Sequence, residues 1–306
     1  MKGRILKALG EHTGILSGEQ LSASLGVSRV TVWKHIRKLQ QLGYEIHSSP
    51  VGYRLVHCPD ALFPWEFEGR ESKILYYPQV TSTMDIARDV ARKGCPDFTV
   101  VVADRQTQGR GRLQRQWLSE EGGLYFTMVL RPQIPVLLSF RVNFMASMIL
   151  AKLLGTRFGI DARVKWPNDI LVDGCKLCGM LAELEAESER VAFINIGIGI
   201  NVNNDPGAVQ PAATSLKIIK GRRFSRKNLL AAFLDEFEAR MKLADFDRVI
   251  DDWKKVSMTL GRQVRIVTTR EVAEGRAMDV DENGALILER DDGGREKIIY
   301  GDCFLV

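Results

Sequence analysis

Residues 58–306 contain no histidine; His12, His35, His47 and His57 all fall in the first 57 residues. The long segment therefore cannot build a Ser-His-Asp triad, a histidine general base or a histidine-rich metal site from its own residues. Lys, Arg, Asp, Glu, backbone amides or a bound metal ion must carry its chemistry. Cysteine is scarce too. Cys58, Cys95, Cys175, Cys178 and Cys303 are odd in number and irregular in spacing, which is no disulfide framework. Cys175-x-x-Cys178 lacks the second CxxC or CxxH that structural zinc requires. It follows an Asp-Gly turn rather than opening a helix, as a redox pair would, and reads as two small residues on a strand. No stretch supplies the ~20 uninterrupted apolar residues of a membrane span. The best run, Met145 to Leu154, is broken by Lys152, and Lys2, Arg4 and Lys7 leave no secretory apolar region at the N-terminus. A cytoplasmic protein with no membrane association is expected.

The chain has 306 residues, 45% hydrophobic and 26% charged, which excludes disorder, collagen and coiled coil. At roughly 150 residues per domain it holds two domains, or three if one is small. The net charge of +5 is unevenly placed. Residues 1–57 carry the whole excess, and no acid lies between Glu19 and Glu45. This segment reads as helix, helix, turn, helix and hairpin. Ser17 and Gln20 form a capping-box pattern, a short helix ends near Leu25-Gly26, and Ser28 caps the next. There Val32, Trp33, Ile36 and Leu39 give the apolar spacing, with Gly43 as the stop. Tyr44 to Leu55, with Pro50 and Gly52, suits a β-hairpin wing. The pattern predicts a winged helix-turn-helix in residues 1–60. Its second helix would offer Ser28, Arg29, Thr31, Lys34, His35, Arg37 and Lys38 to DNA, reading base edges and neutralising phosphates. A solvated charged face is the plain alternative; the Leu-Gly-Val-Ser turn, the one-sided charge and the wing together favour DNA.

Residues 58–72, with Pro59, Pro64 and several acids, read as a linker. Beyond it strands are predicted at 74–77, 99–103, 123–130, 162–166 and 191–202. A hairpin turns at Asp173-Gly174, and helices are predicted at 82–93, 139–158, 227–243 and 249–258. Without regular βαβ alternation this argues for α+β with a mixed or antiparallel sheet over residues 61–258. Residues 259–306 turn at Glu274-Gly275, Asn283-Gly284 and Asp292-Gly293-Gly294 and suggest a small five-stranded β-barrel.

Three segments look chemical. Gly109-Arg110-Gly111-Arg112, with Arg105 and Arg115, follows a buried valine strand. It suits an anionic ligand of polyphosphate type, although it lacks the Gly-Lys-Ser/Thr of a Walker loop; a basic surface loop has the same composition. Lys165-Trp166-Pro167-Asn168-Asp169 ends a strand and could serve a nucleotide and Mg²⁺, or be a rigid packed corner. Gly197-Ile-Gly-Ile-Asn201 requires that a backbone or ligand come close.

Taken together these segments resemble the bacterial biotin–protein ligases that double as biotin operon repressors. The resemblance spans the chain and rests on motif order: Val80-Thr-Ser-Thr83, Gln106-x-x-Gly-Arg-Gly-Arg112, Trp117, Lys165-Trp-Pro-Asn-Asp169, Lys176-x-x-Gly179 and Gly197-x-Gly-x-Asn201. It implies a central mixed α/β ligase domain of the class II aminoacyl-tRNA synthetase kind. Biotin would meet Ser82, Thr83, Met84, Gln106, Arg110, Gly111, Arg112 and Lys176. ATP would meet Trp117, Lys165, Asn168, Asp169 and Asn201, with Asp169 holding Mg²⁺. Lys176, Arg112 and Asp169 would be catalytic. Two positions depart from the family's frequent pattern: Met84 stands where Asn is common and Gln114 where Gly is common.

The implied reaction suits a histidine-free body, because the biotin carboxylate is itself the nucleophile toward ATP. Biotinyl-5'-AMP would then be intermediate and corepressor. A biotin carboxyl carrier protein, the acetyl-CoA carboxylase subunit, would accept the biotinyl group, and operator DNA would bind a homodimer. Two alternatives are a lipoate–protein ligase and a ligand-sensing DNA-binding regulator without catalysis. The Gly-Arg-Gly-Arg and Lys-Trp-Pro-Asn-Asp pair opposes the first, and retention of Lys176, Arg112 and Asp169 opposes the second.

Overall fold

The structure, a computed structural model, describes residues 1–306 apart from 209, 211, 244, 245 and 270. It divides into two compact units, Met1–Ser72 and Lys73–Val306.

The first unit runs α1 (Lys2–Glu11), α2 (Gly18–Leu25), α3 (Arg29–Gln41), β1 (Glu45–Ser49) and β2 (Gly52–His57), the last two an antiparallel hairpin. The capping box is complete: Ser17 Oγ accepts from Gln20 N at 3.1 Å, and Gln20 Oε1 accepts from Ser17 N at 2.9 Å. Gly26, at φ +66°, supplies the left-handed turn before Ser28, whose Oγ accepts from Thr31 N at 3.2 Å and starts α3. Ile5, Leu9, Leu21, Val32, Ile36 and Leu39 meet in the core. Trp33 does not join them. It is 51% exposed, a correction to the apolar face expected for this helix. The stretch expected to be a linker folds back on the same unit. Trp65 Nε1 donates to the Tyr44 hydroxyl at 3.0 Å, and that hydroxyl donates to Glu66. Phe63 stacks on Trp65 at 4.6 Å, and Lys2 Nζ stands 4.1 Å above the Trp65 ring. Aromatic burial overrides the proline-rich, acidic composition that suggested a connector.

The second unit begins with β3 (Ile74–Val80), α4 (Thr83–Arg92), β4 (Thr99–Gln106), β5 (Leu124–Leu130) and α5 (Ser139–Phe158). It continues with β6 (Arg163–Lys165), β7 (Asp169–Val172), β8 (Cys175–Glu187), β9 (Arg190–Ile200), α6 (Leu216–Lys220), α7 (Arg226–Lys242) and α8 (Val249–Lys254). Seven strands form one sheet in the order β3-β4-β5-β9-β8-β7-β6; only β3 and β4 pair in parallel, so the sheet is mixed as expected. Alternation along the strands gives each face its own cover. Ala87 and Ala91 of α4 pack on Val101 and Val129, while Phe233 of α7 meets Phe126, ring centroids 5.8 Å apart. α5 is long and apolar enough to cross a membrane by length and composition, yet Val142, Met145, Leu150 and Leu154 are buried in this core. β8 runs well past the expected hairpin, and α6 was not expected.

The chain closes with β10 (Gln263–Val267), β11 (Val272–Val280), β12 (Leu286–Glu289), β13 (Arg295–Ile298) and β14 (Asp302–Leu305), an antiparallel sheet in the order β13-β12-β11-β10-β14. Asn283-Gly284 and Asp292-Gly293 turn as expected, Gly284 at φ +78° and Gly293 at +81°. Glu274-Gly275 is not a turn but lies inside β11. A Cβ on Gly275 would stand 2.4 Å from Glu289 O, so glycine there admits the neighbouring strand.

Candidate active site

A cavity of about 280 Å³ opens at one end of the seven-stranded sheet. Its wall is assembled from the start of α4, the end of β4, the arginine loop, the 165–169 corner, β8, β9 and β14.

The α4 side is fixed before any ligand arrives. Ser82 is buried and caps α4, its Oγ accepting from Met84 N at 3.3 Å. Gln106 Oε1 accepts from Thr83 N at 2.7 Å and from Thr83 Oγ1 at 3.0 Å, while Gln106 Nε2 donates to Ser119 Oγ at 2.8 Å. Thr127 Oγ1 donates to Thr83 Oγ1 at 2.9 Å. Asp85, three residues after Ser82, pairs with Arg88 at 2.6 Å and Arg110 at 2.8 Å.

The glycine-rich strand does what its composition requires. Gly179 and Gly199 are cross-strand partners on β8 and β9, and Trp117 lies over both. A Cβ on Gly199 would stand 2.4 Å from Trp117 Nε1, and one on Gly197 would stand 2.6 Å from Met84 Sδ. Met84 thus acts here by packing, buried above Gly197. Trp117 Nε1 is buried without a hydrogen-bond partner.

The arginine loop is tied down at every arginine near the cavity. Arg110 pairs with Asp85 and Glu183; Arg112 donates to Asn168 Oδ1 at 3.0 Å and to Gly301 O at 2.9 Å; Arg115 pairs with Asp302 at 2.5 Å. Burial pushes the Arg112 guanidinium down from its usual range, opposed by Asp302 and Asp169. Leu113 and Gln114 sit at φ +51° and +59°. The left-handed region costs a non-glycine residue roughly 1–2 kcal/mol, which explains why glycine suits position 114.

Opposite the loop, Asp169 lies between two ammonium groups: Lys176 Nζ is 2.8 Å from Oδ1 and Lys165 Nζ is 3.7 Å from Oδ2. Lys176 Nζ also stands 5.4 Å from the Trp117 ring centroid. Trp166 is the packed corner: it is 1% exposed, its Nε1 donating to Gly284 O at 3.0 Å and its backbone N to Thr259 Oγ1 at 2.9 Å. The Trp166-Pro167 peptide bond is cis. Asn168 Nδ2 donates to Met180 O, joining Arg112 to β8.

Every site residue expected for biotin and ATP lines this cavity except Asn201. Asn201 is buried, and its Oδ1 accepts from Asn204 Nδ2 at 2.9 Å. Sequence reasoning missed Asp302, Cys303 and Phe304 of β14. Burial pushes the Cys303 thiol up to about 11. No motif marks these residues; only folding brings them more than a hundred positions back to Lys176. Cys178 is buried on β8, and burial pushes its thiol well above the usual range.

In the first unit Ser28, Arg29, Lys34, Arg37 and Lys38 are exposed on α3. Thr31 and His35 are half-buried. The Thr31 hydroxyl is 2.9 Å from Ser28 Oγ, within the cap, and His35 Nδ1 is buried without a partner.

Residues 76–201 match the biotin/lipoate A/B protein ligase family, residues 3–54 an HTH domain, and residues 259–306 the biotin protein ligase C-terminal domain. The fold and cavity thus define a ligase class joined to a helix-turn-helix module. The Bacillus subtilis bifunctional ligase/repressor BirA is 35% identical over 293 residues, covering 91% of this chain and 90% of that protein. Its Escherichia coli namesake is 29% identical over 286 residues, covering 90% and 88%. The Aquifex aeolicus biotin protein ligase in complex with biotin and ATP superposes with a TM-score of 0.64 at 28% identity, covering 76% of this chain and 98% of that one. The chain belongs to the family of bifunctional biotin–protein ligases and repressors.

Proposed function

We propose that this chain joins biotin to ATP as biotinyl-5'-AMP and transfers the biotinyl group to a lysine of a biotin carboxyl carrier protein. Loaded with biotinyl-5'-AMP, it represses transcription as a homodimer on operator DNA. The observation that carries the enzymatic half is the convergence of Lys165, Lys176, Asp169, Arg112 and a glycine floor on one cavity without a histidine.

Ser82, Thr83 and Gln106 are cross-linked to one another or to the helix end, so they meet the polar ureido ring with fixed orientation. The glycine floor and Trp117 offer an apolar surface to the biotin tail or to the adenine of ATP. A biotin carboxylate approaching a triphosphate is opposed by like charge, which Lys176, Lys165 and Arg112 offset. A carboxylate oxygen attacks the α-phosphorus, and the bond to the leaving pyrophosphate breaks. No base is needed, because the nucleophile is already an anion. The lysine amine of the carrier then attacks the mixed anhydride carbonyl, and AMP leaves. The tied arginine loop keeps water from that anhydride.

Mg²⁺, implied by the resemblance, would be held by Asp169 together with the phosphates of ATP, and would neutralise phosphate charge there. Asp169 is one carboxylate already engaged by two lysines, and the described residues include no group of three or more His, Cys, Asp or Glu placed to hold a metal. Asp169 also holds Lys165 and Lys176 in place. A three-domain division with its first boundary at Ser72 rather than residue 60 and its second at residue 258, a small barrel for 259–306, a class II synthetase-like ligase domain and a cytoplasmic location complete the reading. Support for the barrel is the buried interior of Val264, Ile266, Ala277, Leu286 and Leu288.

The test mixes purified protein, ATP, biotin and a carrier domain. Biotinylated carrier, and pyrophosphate release with biotin but not lipoate, is the expected result. Release with lipoate alone would move the chain to the other branch of its family. A duplex shift that responds to biotin plus ATP tests the repressor half.

A further inference from the structure

The base-reading helix carries apolar residues as well as cations. Val30 is 61% exposed and Trp33 is 51% exposed, one turn apart on α3. Lys34 and Arg37 share their face, and the Arg37 guanidinium is 6.0 Å from the Trp33 ring centroid. Val32, Ile36 and Leu39 are fully buried on the opposite side and fix the rotation of the helix. Trp33 cannot turn inward without lifting those three out of the core.

Val30 and Trp33 line one wall of a groove whose other wall is the wing, with Val51 and Tyr53; Arg29 and the single acid Glu19 stand at its rim. Val51 is exposed as well. A lone exposed apolar side chain needs no explanation. Here three flank one groove in a segment that carries the chain's whole positive excess, so the complementary partner is a polyanion with apolar points. Duplex DNA has such points in its major groove: thymine alone shows a C5-methyl group there.

We propose that Trp33, with Val30, reads thymine methyl groups of the operator, while Lys34 and Arg37 neutralise phosphates. The inference rests on the repressor reading and deepens it to a specificity-determining contact. The indole suits the task, since it offers a large apolar area with only two side-chain torsions to fix.

Full-length protein with biotin and ATP would be used to enrich duplexes from a random-sequence library. Each thymine of the best duplex would then be replaced by deoxyuridine, which keeps base pairing and removes only the methyl. Burying one methyl corresponds to about fourfold in affinity. We expect such a loss for wild type at one or more thymines. Trp33→Ala should bind on the order of tenfold more weakly and be indifferent to the same deoxyuridines. Its salt dependence should match wild type, because no phosphate contact is lost. Lys34→Ala should instead weaken every duplex alike and lower the salt slope by about one. Deoxyuridine without effect at every thymine, or Trp33→Ala selecting the wild-type duplex with wild-type affinity, overturns the inference and leaves the repressor standing. If no duplex is enriched, the repressor reading fails and the inference with it.

Discussion

Replacing Gly199 with alanine puts a methyl carbon 2.4 Å from Trp117 Nε1 and 2.5 Å from its Cε2. Carbon contacts settle near 3.5–4.0 Å, so the shortfall is about 1 Å. The strand cannot supply it. β9 is hydrogen-bonded on both sides, to β5 and β8, and sits mid-sheet. The ring must move instead. It hangs from the arginine loop, anchored by the Trp117 N to Gly109 O bond at 2.9 Å. Overpacking of this kind costs about 1–3 kcal/mol, and in a body of this size each kcal/mol lowers Tm by roughly 2–4 °C. The displaced ring also leaves Lys176, 5.4 Å from its centroid. Adenylation should therefore fall by about tenfold, within the range for a displaced positioning group. The assay is thermal unfolding and biotin-dependent pyrophosphate release on wild type, Gly199→Ala, Trp117→Ala and the double variant. With the indole gone the methyl has room, so the double variant should be no less stable than Trp117→Ala. Coupling of about 1–3 kcal/mol between the sites is expected. Additive losses, or a Gly199→Ala protein with wild-type Tm and turnover, would refute the packing argument.

Lys176→Ala should lower adenylation by about 10²–10³ while the fold persists, because Asp169 keeps Lys165 but loses its 2.8 Å partner; wild-type pyrophosphate release would remove Lys176 from the mechanism. Arg112→Gly frees the loop from Asn168 and Gly301. It should keep the part of adenylation that Lys176 and Lys165 support but leak biotinyl-5'-AMP, read as biotin on a bystander protein; labelling confined to the carrier argues against a gate. His35 is pushed below its usual 6.5 by burial, with the N-terminal amine, Lys38 and Lys2 adding to the shift. The folded first unit thus binds fewer protons than the unfolded chain, and this site costs stability as pH falls through about 6.5. The Tm of His35→Asn minus that of wild type should therefore be more positive at pH 5 than at pH 7.5; a difference that does not change with pH would discount the histidine. Cys178, buried with its thiol pushed up by burial, should resist iodoacetamide in the native protein and react only after unfolding, as followed by mass spectrometry.

The sequence alone determined what depends on neighbours in the chain. Ser17 with Gln20, Gly26 before Ser28, and Asp173-Gly174 each act within a few residues, so the elements they bound were legible. The histidine-free body fixed the type of chemistry. The glycines of β8 and β9 announced a close approach, but not that Trp117 and Met84 would make it. Tertiary structure decided whatever needed a partner far along the chain. Position 33 borders the stripe set by Val32, Ile36 and Leu39, and helical periodicity does not choose a side there; the core did, leaving Trp33 outside. Nothing in the Gly197-Ile-Gly-Ile-Asn201 motif announced the hydrogen bond that Asn204 donates to Asn201 in the turn at the strand end. Asp169 became the partner of two lysines only when the hairpin laid β8 beside β7. Asp302, Cys303 and Phe304 carry no local mark. They reach the cavity because the C-terminal sheet packs beside the arginine loop, where Gly301 O and Asp302 take up Arg112 and Arg115, and only packing can bring such distant charges within hydrogen-bond range.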